Sequence, residues 1–241
     1  MSVPNEFMSS EMQPSFFKQL NIVDWVFAVL LVLGSIYAYQ KYSALMDGYE
    51  VGILFSTAIS LIALGWLWKP MRGLMFYIAV ISLFAINLYG TDLAASETNF
   101  FLRFLFSSQS ATMWMSALFV MATVAYFIEL FTGNAFTGKV GTAMTWSATA
   151  MGFIGLLVRW RETYLHGADI GHIPVSNLYE VFILFAIITA LIYLYYEMRY
   201  QTRSMGAFVL LVITASIVFL LWYHFEKDAS EIKPLVPALQ S

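Results

Sequence analysis

Seven stretches of this chain reach the length of a membrane-crossing helix with scarcely a charge inside them: Ile22 to Tyr39, Val51 to Trp68, Leu74 to Tyr89, Ala111 to Phe131, Val140 to Val158, Leu178 to Tyr196 and Ala207 to Tyr223. A helix needs about 18 to 20 apolar residues to cross roughly 30 Å of hydrocarbon, and inside it every backbone amide is satisfied internally. The runs are uninterrupted, whereas a helix on the surface of a soluble domain carries an apolar stripe on one face only. Composition agrees, with 60% hydrophobic and 11% charged residues, against about 25% charged in a soluble domain. The expected fold is all-α, a polytopic membrane helix bundle of about seven transmembrane helices over residues 21–224. A polar tail, 1–20, precedes it and a short segment, 225–241, follows.

The formal net charge of −3 and the lack of any dense Lys/Arg cluster exclude a nucleic-acid-binding surface. There is no cysteine, so any thiol chemistry belongs to a partner. Met1 to Leu20 lacks the basic and short apolar regions of a cleavable signal peptide and reads as a retained tail. Short links at Lys69 to Arg72, Thr132 to Lys139 and Arg199 to Ser204 fall on one side and make neighbouring helices antiparallel. Asn99 to Phe106, amphiphilic with the single Arg103, is expected to lie in the interface. Gly48 with Gly52, and Ala148 with Gly152, have the small-xxx-small spacing that permits close helix approach. Lys18, Lys69, Arg72, Lys139, Arg199 and Arg203 share the side of the N-terminus. Lys41, Arg103, Arg159, Arg161, Lys227 and Lys233 lie opposite. With the two sides tied, the positive-inside rule does not decide the orientation, while the tight basic turns on the first side favour a cytoplasmic N-terminus.

Polar residues crowd between the fifth and sixth runs: Arg159, Arg161, Glu162, His166, Asp169, His172, Ser176, Asn177 and Glu180. His224 closes the seventh run on the same side, so one face of the bundle is chemically equipped and the other nearly plain. Imidazole binds metals and guanidinium forks onto carboxylates, a pairing that suits a ligand with a metal centre and acidic tails, of which haem is one. The spacing of His166 and His172 fits no compact metal site and favours a loop-ordering hydrogen bond. Asn177-x-x-Glu180 after Pro174 reads as a capping-box-like helix start. Arg159 and Arg161 read equally well as interfacial side chains with solvated heads. Asp24 and Glu129 are expected at the interface, and Asn87 is expected to bond a neighbouring helix. No catalytic residue and no metal site is assigned.

The segment Gly171-His172-Ile173-Pro174-Val175-Ser176-Asn177-Leu178-Tyr179-Glu180 resembles the Ccs-type (System II) cytochrome c biogenesis family in its CcsA/ResC membrane component. The likeness extends from Arg159 through Pro234 to Ser241. It implies a membrane subunit, or N-terminal portion, of a cytochrome c synthetase that delivers haem to the outer face for attachment to apocytochrome c at Cys-x-x-Cys-His. It further implies a CcsB/ResB-like membrane partner, the bacterial inner membrane as location, and an external C-terminal end. Arg159, Arg161, His172, Pro174, Ser176, Asn177, Tyr179 and Glu180 would shape the vestibule for haem. The sequence departs from the family by stopping before the tryptophan-rich haem segment and its flanking histidines. The expectation is therefore of a chain that supplies no axial ligand and belongs to a lyase-type complex without being active alone. A transporter or a receptor of unrelated family is the alternative. A transporter would place ionisable groups at mid-membrane, where this chain has few, and the last run has no lysine for a retinal Schiff base.

Overall fold

The computed structural model describes residues 16–44, 46–167 and 171–227, and among them every regular element is helical. The long helices are α1 (Ile22–Tyr42), α2 (Gly48–Leu67), α3 (Pro70–Tyr89), α5 (Ser108–Thr132), α6 (Ala135–His166), α7 (Leu178–Tyr200) and α8 (Gly206–Lys227). A short α4 (Ala95–Thr98) and a π-helical turn (Leu102–Phe106) lie between α3 and α5. Among the described residues, 7 helices are long and apolar enough to cross a membrane. The chain is thus an all-α polytopic helix protein, as its apolar runs require. The expected C-terminal segment falls outside the described residues from position 228 onward, as do residues 1–15 of the tail and Asp169.

Two compact units are present, Met1–Leu74 and Met75–Ser241. In the first, α1 and α2 both start with full capping boxes, Asn21 with Asp24 and Asp47 with Glu50. Each satisfies two orphan amides reciprocally. Asp24 is more than a cap: it is buried, and pairs with Arg72. Arg72 Nε donates to the Gly65 carbonyl at 2.6 Å, and Trp66 Nε1 donates to the Asp24 carbonyl at 3.0 Å. Asp24 keeps the helix-end position expected of an interfacial acid, with its carboxylate covered by protein and held by its cap and by Arg72. Gly48 and Gly52 have open space where a side chain would project, so their spacing marks no close contact.

The second unit is built on α5 to α8, packed as α5 on α6, α6 on α7, α7 on α8 and α8 on α5. Tight turns impose the antiparallel order. Gly133 closes α5 at φ 66°, a left-handed conformation that costs glycine nothing, and Asn134 caps α6. Down α6, the buried residues Gly138, Gly141, Thr145, Ala148, Gly152, Gly155, Arg159 and Glu162 recur at alternating spacings of three and four. This is the seam of a left-handed helix pair. At Gly152 an added Cβ would lie 2.7 Å from Met115 Sδ and 2.8 Å from Ile187, so the approach expected there does occur. Thr123 extends the packing to α8, its hydroxyl 3.0 Å from the Leu210 carbonyl and 2.7 Å from Thr214 Oγ1.

Hydropathy misplaced the ends of α6. The helix has 32 residues, about 48 Å at 1.5 Å per residue, and so outruns roughly 30 Å of hydrocarbon. Arg159 to His166 belong to its last turns and not to a link. Arg, Trp and Glu sustain a helix well enough, and only Gly167 ends it. Asn87 is exposed on α3, against the helix-to-helix bond expected of it. Within 99–106, the π-helical turn buries Leu102 and leaves Phe100, Phe101 and Phe104 exposed, a surface suited to the interface.

Candidate functional site

The seam of α6 positions the site. Gly152 and Gly155 bring α6 against its neighbours, and the same spacing carries Arg159 and then Glu162 inward, while Trp160 stays exposed. Facing them is the start of α7. Asn177 caps that helix, its Oδ1 accepting from the Glu180 amide at 2.8 Å. The expected cap is present, but its reciprocal half is diverted. Glu180 Oε2 accepts from the Ser176 amide at 2.9 Å, and Oε1 accepts from Arg159 Nε at 2.6 Å. Glu180 is 0% exposed and Arg159 3%, so this is a fully desolvated ion pair, and the snorkelling reading of Arg159 does not hold. The Arg159 guanidinium also sits 5.6 Å over the Tyr179 ring.

A chain of hydrogen bonds leads outward. Ser176 Oγ lies 3.2 Å from Glu180 Oε2 and 2.8 Å from His172 Nε2. With the hydroxyl donating to the carboxylate, its lone pair is left for a proton on His172 Nε2. His172 is buried, and its backbone is held on both sides by the Thr163 hydroxyl, at 3.3 Å through the amide and 3.2 Å through the carbonyl. Pro174 lies inside a three-residue turn closed by the Val175 amide on the Ile173 carbonyl at 2.8 Å. His172 is a loop-ordering residue, as its spacing indicated. Seven of the eight residues singled out from the sequence thus converge where α6 ends and α7 begins. Arg161 stands apart, half-buried, with Nη2 donating to the Gly90 carbonyl at 2.8 Å.

Three further side chains take part: Glu162, noted in the sequence only among the crowded polar residues, and Tyr89 and Ser108, not singled out there. Glu162 accepts from Tyr89 Oη at 2.6 Å, from the Ser108 amide at 3.0 Å and from the Ser108 hydroxyl. Ser108 opens α5, so this carboxylate rests at a helix N-terminus, where the backbone dipole favours a negative charge. The seam spacing of α6 could have found Glu162. Tyr89 and Ser108 carry no comparable signal. Beside this group opens a cavity of about 860 Å³ lined by Glu97, Arg103, Gln109, Arg159, Glu162 and His166, among others.

The opposite end of α5 to α8 is not plain either. Glu197 accepts from Tyr126 Oη at 2.7 Å, Thr142 Oγ1 at 2.6 Å and Arg203 Nε at 3.0 Å, and Arg203 reaches Glu129 at 3.6 Å. Burial works to lower the Arg203 pKa, and the carboxylates of Glu197 and Glu129 outweigh it and hold the guanidinium above its ordinary value. A nearly plain second face was expected, and these side chains give it a polar network of its own. Single acids near helix ends read as interfacial when the partners lie 55 and 71 positions away.

Half of the chain is similar to a cytochrome c biogenesis protein. Over 125 residues it is 32% identical to the protein named Cytochrome c biogenesis protein CcsA from Chlorella vulgaris, a match covering 50% of this chain and 36% of that relative. The chain therefore spans little more than a third of the relative's length. No family's sequence profile and no solved structure matches. The similarity supports the coarse form of the resemblance drawn from the motif: a multi-pass membrane protein distantly and partially homologous to CcsA. Among the described residues, no group of three His, Cys, Asp or Glu side chains is gathered so as to hold a metal ion. The cluster can fix the mouth of the helix bundle in one shape.

Proposed function

We propose that this chain is a membrane component of a cytochrome c synthetase of the CcsA/ResC type, working with a CcsB/ResB-like partner. Haem is its substrate, carried to the outer face for attachment to apocytochrome c. The observation that carries this reading is the partial similarity to CcsA. It is supported by the buried network on the motif that suggested the same family, in which Arg159, Ser176, Asn177 and Glu180 lock the end of α6 to the start of α7. In this reading the chain resides in a bacterial inner membrane with its N-terminus in the cytoplasm and the Glu180 end outside. The network acts on haem indirectly. It holds the outer mouth of α5 to α8 rigid, so that a haem-binding segment docks on a fixed surface.

The test is coexpression of the chain with its partner, the segments that handle haem and an apocytochrome c reporter, read by haem staining. Disabling the network with Arg159→Met and Glu180→Gln together is expected to lower haem attachment about tenfold at equal chain abundance, the equivalent of about 1.4 kcal/mol in assembly. Undiminished staining would reject the role of the network. Staining that persists without the chain would reject the function.

A further inference from the structure

The polar cavity at the Glu162 end has a neighbour that the haem reading leaves unused. A second cavity, about 460 Å³, is lined by Phe104, Met113, Trp114 and Ala117 and shares Arg103, Gln109 and Ser110 with the first. The first is a half-open cleft and the second an open groove on the surface of α5. Their linings contrast: one is polar and charged, the other follows the apolar flank of α5. Joined at Arg103, they have the outline of an amphiphile with its head in one chamber and a hydrocarbon chain along the other.

Arg103 stands on the π-helical turn, a backbone irregularity often found at functional sites. The turn is fastened to α5 by Ser110 Oγ donating to the Arg103 carbonyl at 2.6 Å and by Trp114 Nε1 donating to the Phe104 carbonyl at 2.8 Å. These bonds consume carbonyls of the turn and fix its backbone against α5, with Arg103 where the two linings meet. The guanidinium lies 5.3 Å over the Phe104 ring, and no described carboxylate forms an ion pair with it. It is exposed, as are Phe100, Phe101 and Trp114 around it, the arginine and aromatic mixture of a headgroup-level belt. A fork of donors at that level matches a phosphate. The anion that also brings an acyl chain, at bilayer concentration, is a phospholipid.

We infer that the paired cavities hold one glycerophospholipid, its phosphate on Arg103, its headgroup in the polar chamber and one acyl chain against Met113, Trp114 and Ala117. The lipid would brace the π turn and the start of α5, and through Ser108 the Glu162 carboxylate. The test uses the full chain, reconstituted in vesicles of phosphatidylethanolamine and phosphatidylglycerol, exchanged into detergent and weighed by native mass spectrometry. A single retained phospholipid is expected. Its occupancy should fall about tenfold in Arg103→Gln, the loss of one charge-assisted contact, and comparably in Ala117→Trp, which fills the groove without touching charge. Lys139→Gln, at the opposite end, should retain the lipid. Retention unchanged in both Arg103→Gln and Ala117→Trp would overturn the proposal, as would a chain that emerges lipid-free. An Arg103-dependent adduct with the mass of a quinone or a porphyrin would overturn it too. The readout needs no cytochrome, so its failure is separate from failure of the synthetase reading.

Discussion

Helix α7 carries a buried carboxylate near each end, and the two are held in different surroundings. Glu180 and Glu197 are 17 positions apart, about 26 Å along the helix, and each pairs with an arginine. At the Glu180 end both partners are dry, with side chains 1% and 3% exposed. At the Glu197 end the arginine is 31% exposed. A desolvated pair is held by its geometry, and removing one partner strands a charge in a medium that cannot solvate it. A half-solvated pair loses little, because water takes over the freed guanidinium. The dry end is also where the cavity opens and where the segment resembling the CcsA family lies. That end specifies one shape, whereas the wetter end works as a clamp on the short α7 to α8 turn.

The sharpest way to break this comparison is to remove the two carboxylates one at a time. Glu180→Ala leaves Arg159 buried without its carboxylate, and is expected to destabilise the chain by about 3–5 kcal/mol, measured by unfolding in a mixed detergent titration. Glu180→Leu with Arg159→Met should recover most of that loss, since the penalty lies in the stranded charge. If Glu180→Ala proves no worse than the same change at Glu197, the two ends are equivalent and the contrast is void. Next in size is Gly152→Leu in the seam. Met115 and Ile187 leave it no room, and overpacking of this kind costs about 1–3 kcal/mol. Because the seam delivers Arg159 and Glu162 to the dry end, this change should impair haem attachment in the coexpression assay as well as stability.

How far the sequence discloses these features differs along the chain. The seven crossings are legible because lipid asks only for length and apolarity, and α1 to α3 and α7 begin or end close to their apolar runs. The end of α6 is not legible by hydropathy, which halts at Arg159, while the backbone stays helical to His166. Its three-and-four spacing of small residues would have carried the reading through to Arg159 and Glu162. The cap at Asn177 is legible because it is local. The diversion of Glu180 to Ser176 and Arg159 is not, since Arg159 lies 21 positions upstream. Tyr89 with Glu162 and Tyr126 with Glu197 are 73 and 71 positions apart, and nothing local distinguishes those tyrosines from the aromatic residues of an interface belt.

Smaller changes sharpen the comparison. Glu197→Ala is expected to cost about 2 kcal/mol, since it strands the buried Tyr126 hydroxyl and frees Thr142 as well as Arg203, and the loss should shrink in high salt, where the attraction between Glu197 and the half-exposed Arg203 is already screened. Glu180→Ala should show no such salt dependence, because its pair is out of reach of ions.

The smallest effects come from the two tyrosines, and they separate structure from function most cleanly. Tyr89→Phe and Tyr126→Phe each delete one hydroxyl that donates to a buried carboxylate, at 2.6 and 2.7 Å respectively. Each carboxylate keeps other donors: Ser108 for Glu162, Thr142 and Arg203 for Glu197. Both substitutions should therefore cost about 0.5–1.5 kcal/mol and leave the chain folded. In the cytochrome reporter assay they should part company. Tyr89→Phe loosens the wall shared by the cavity and α5, and should reduce haem attachment at unchanged chain abundance, while Tyr126→Phe should not. Equal loss in both would mean that the reporter follows stability alone. The dry end would then be a stronger clamp and nothing more.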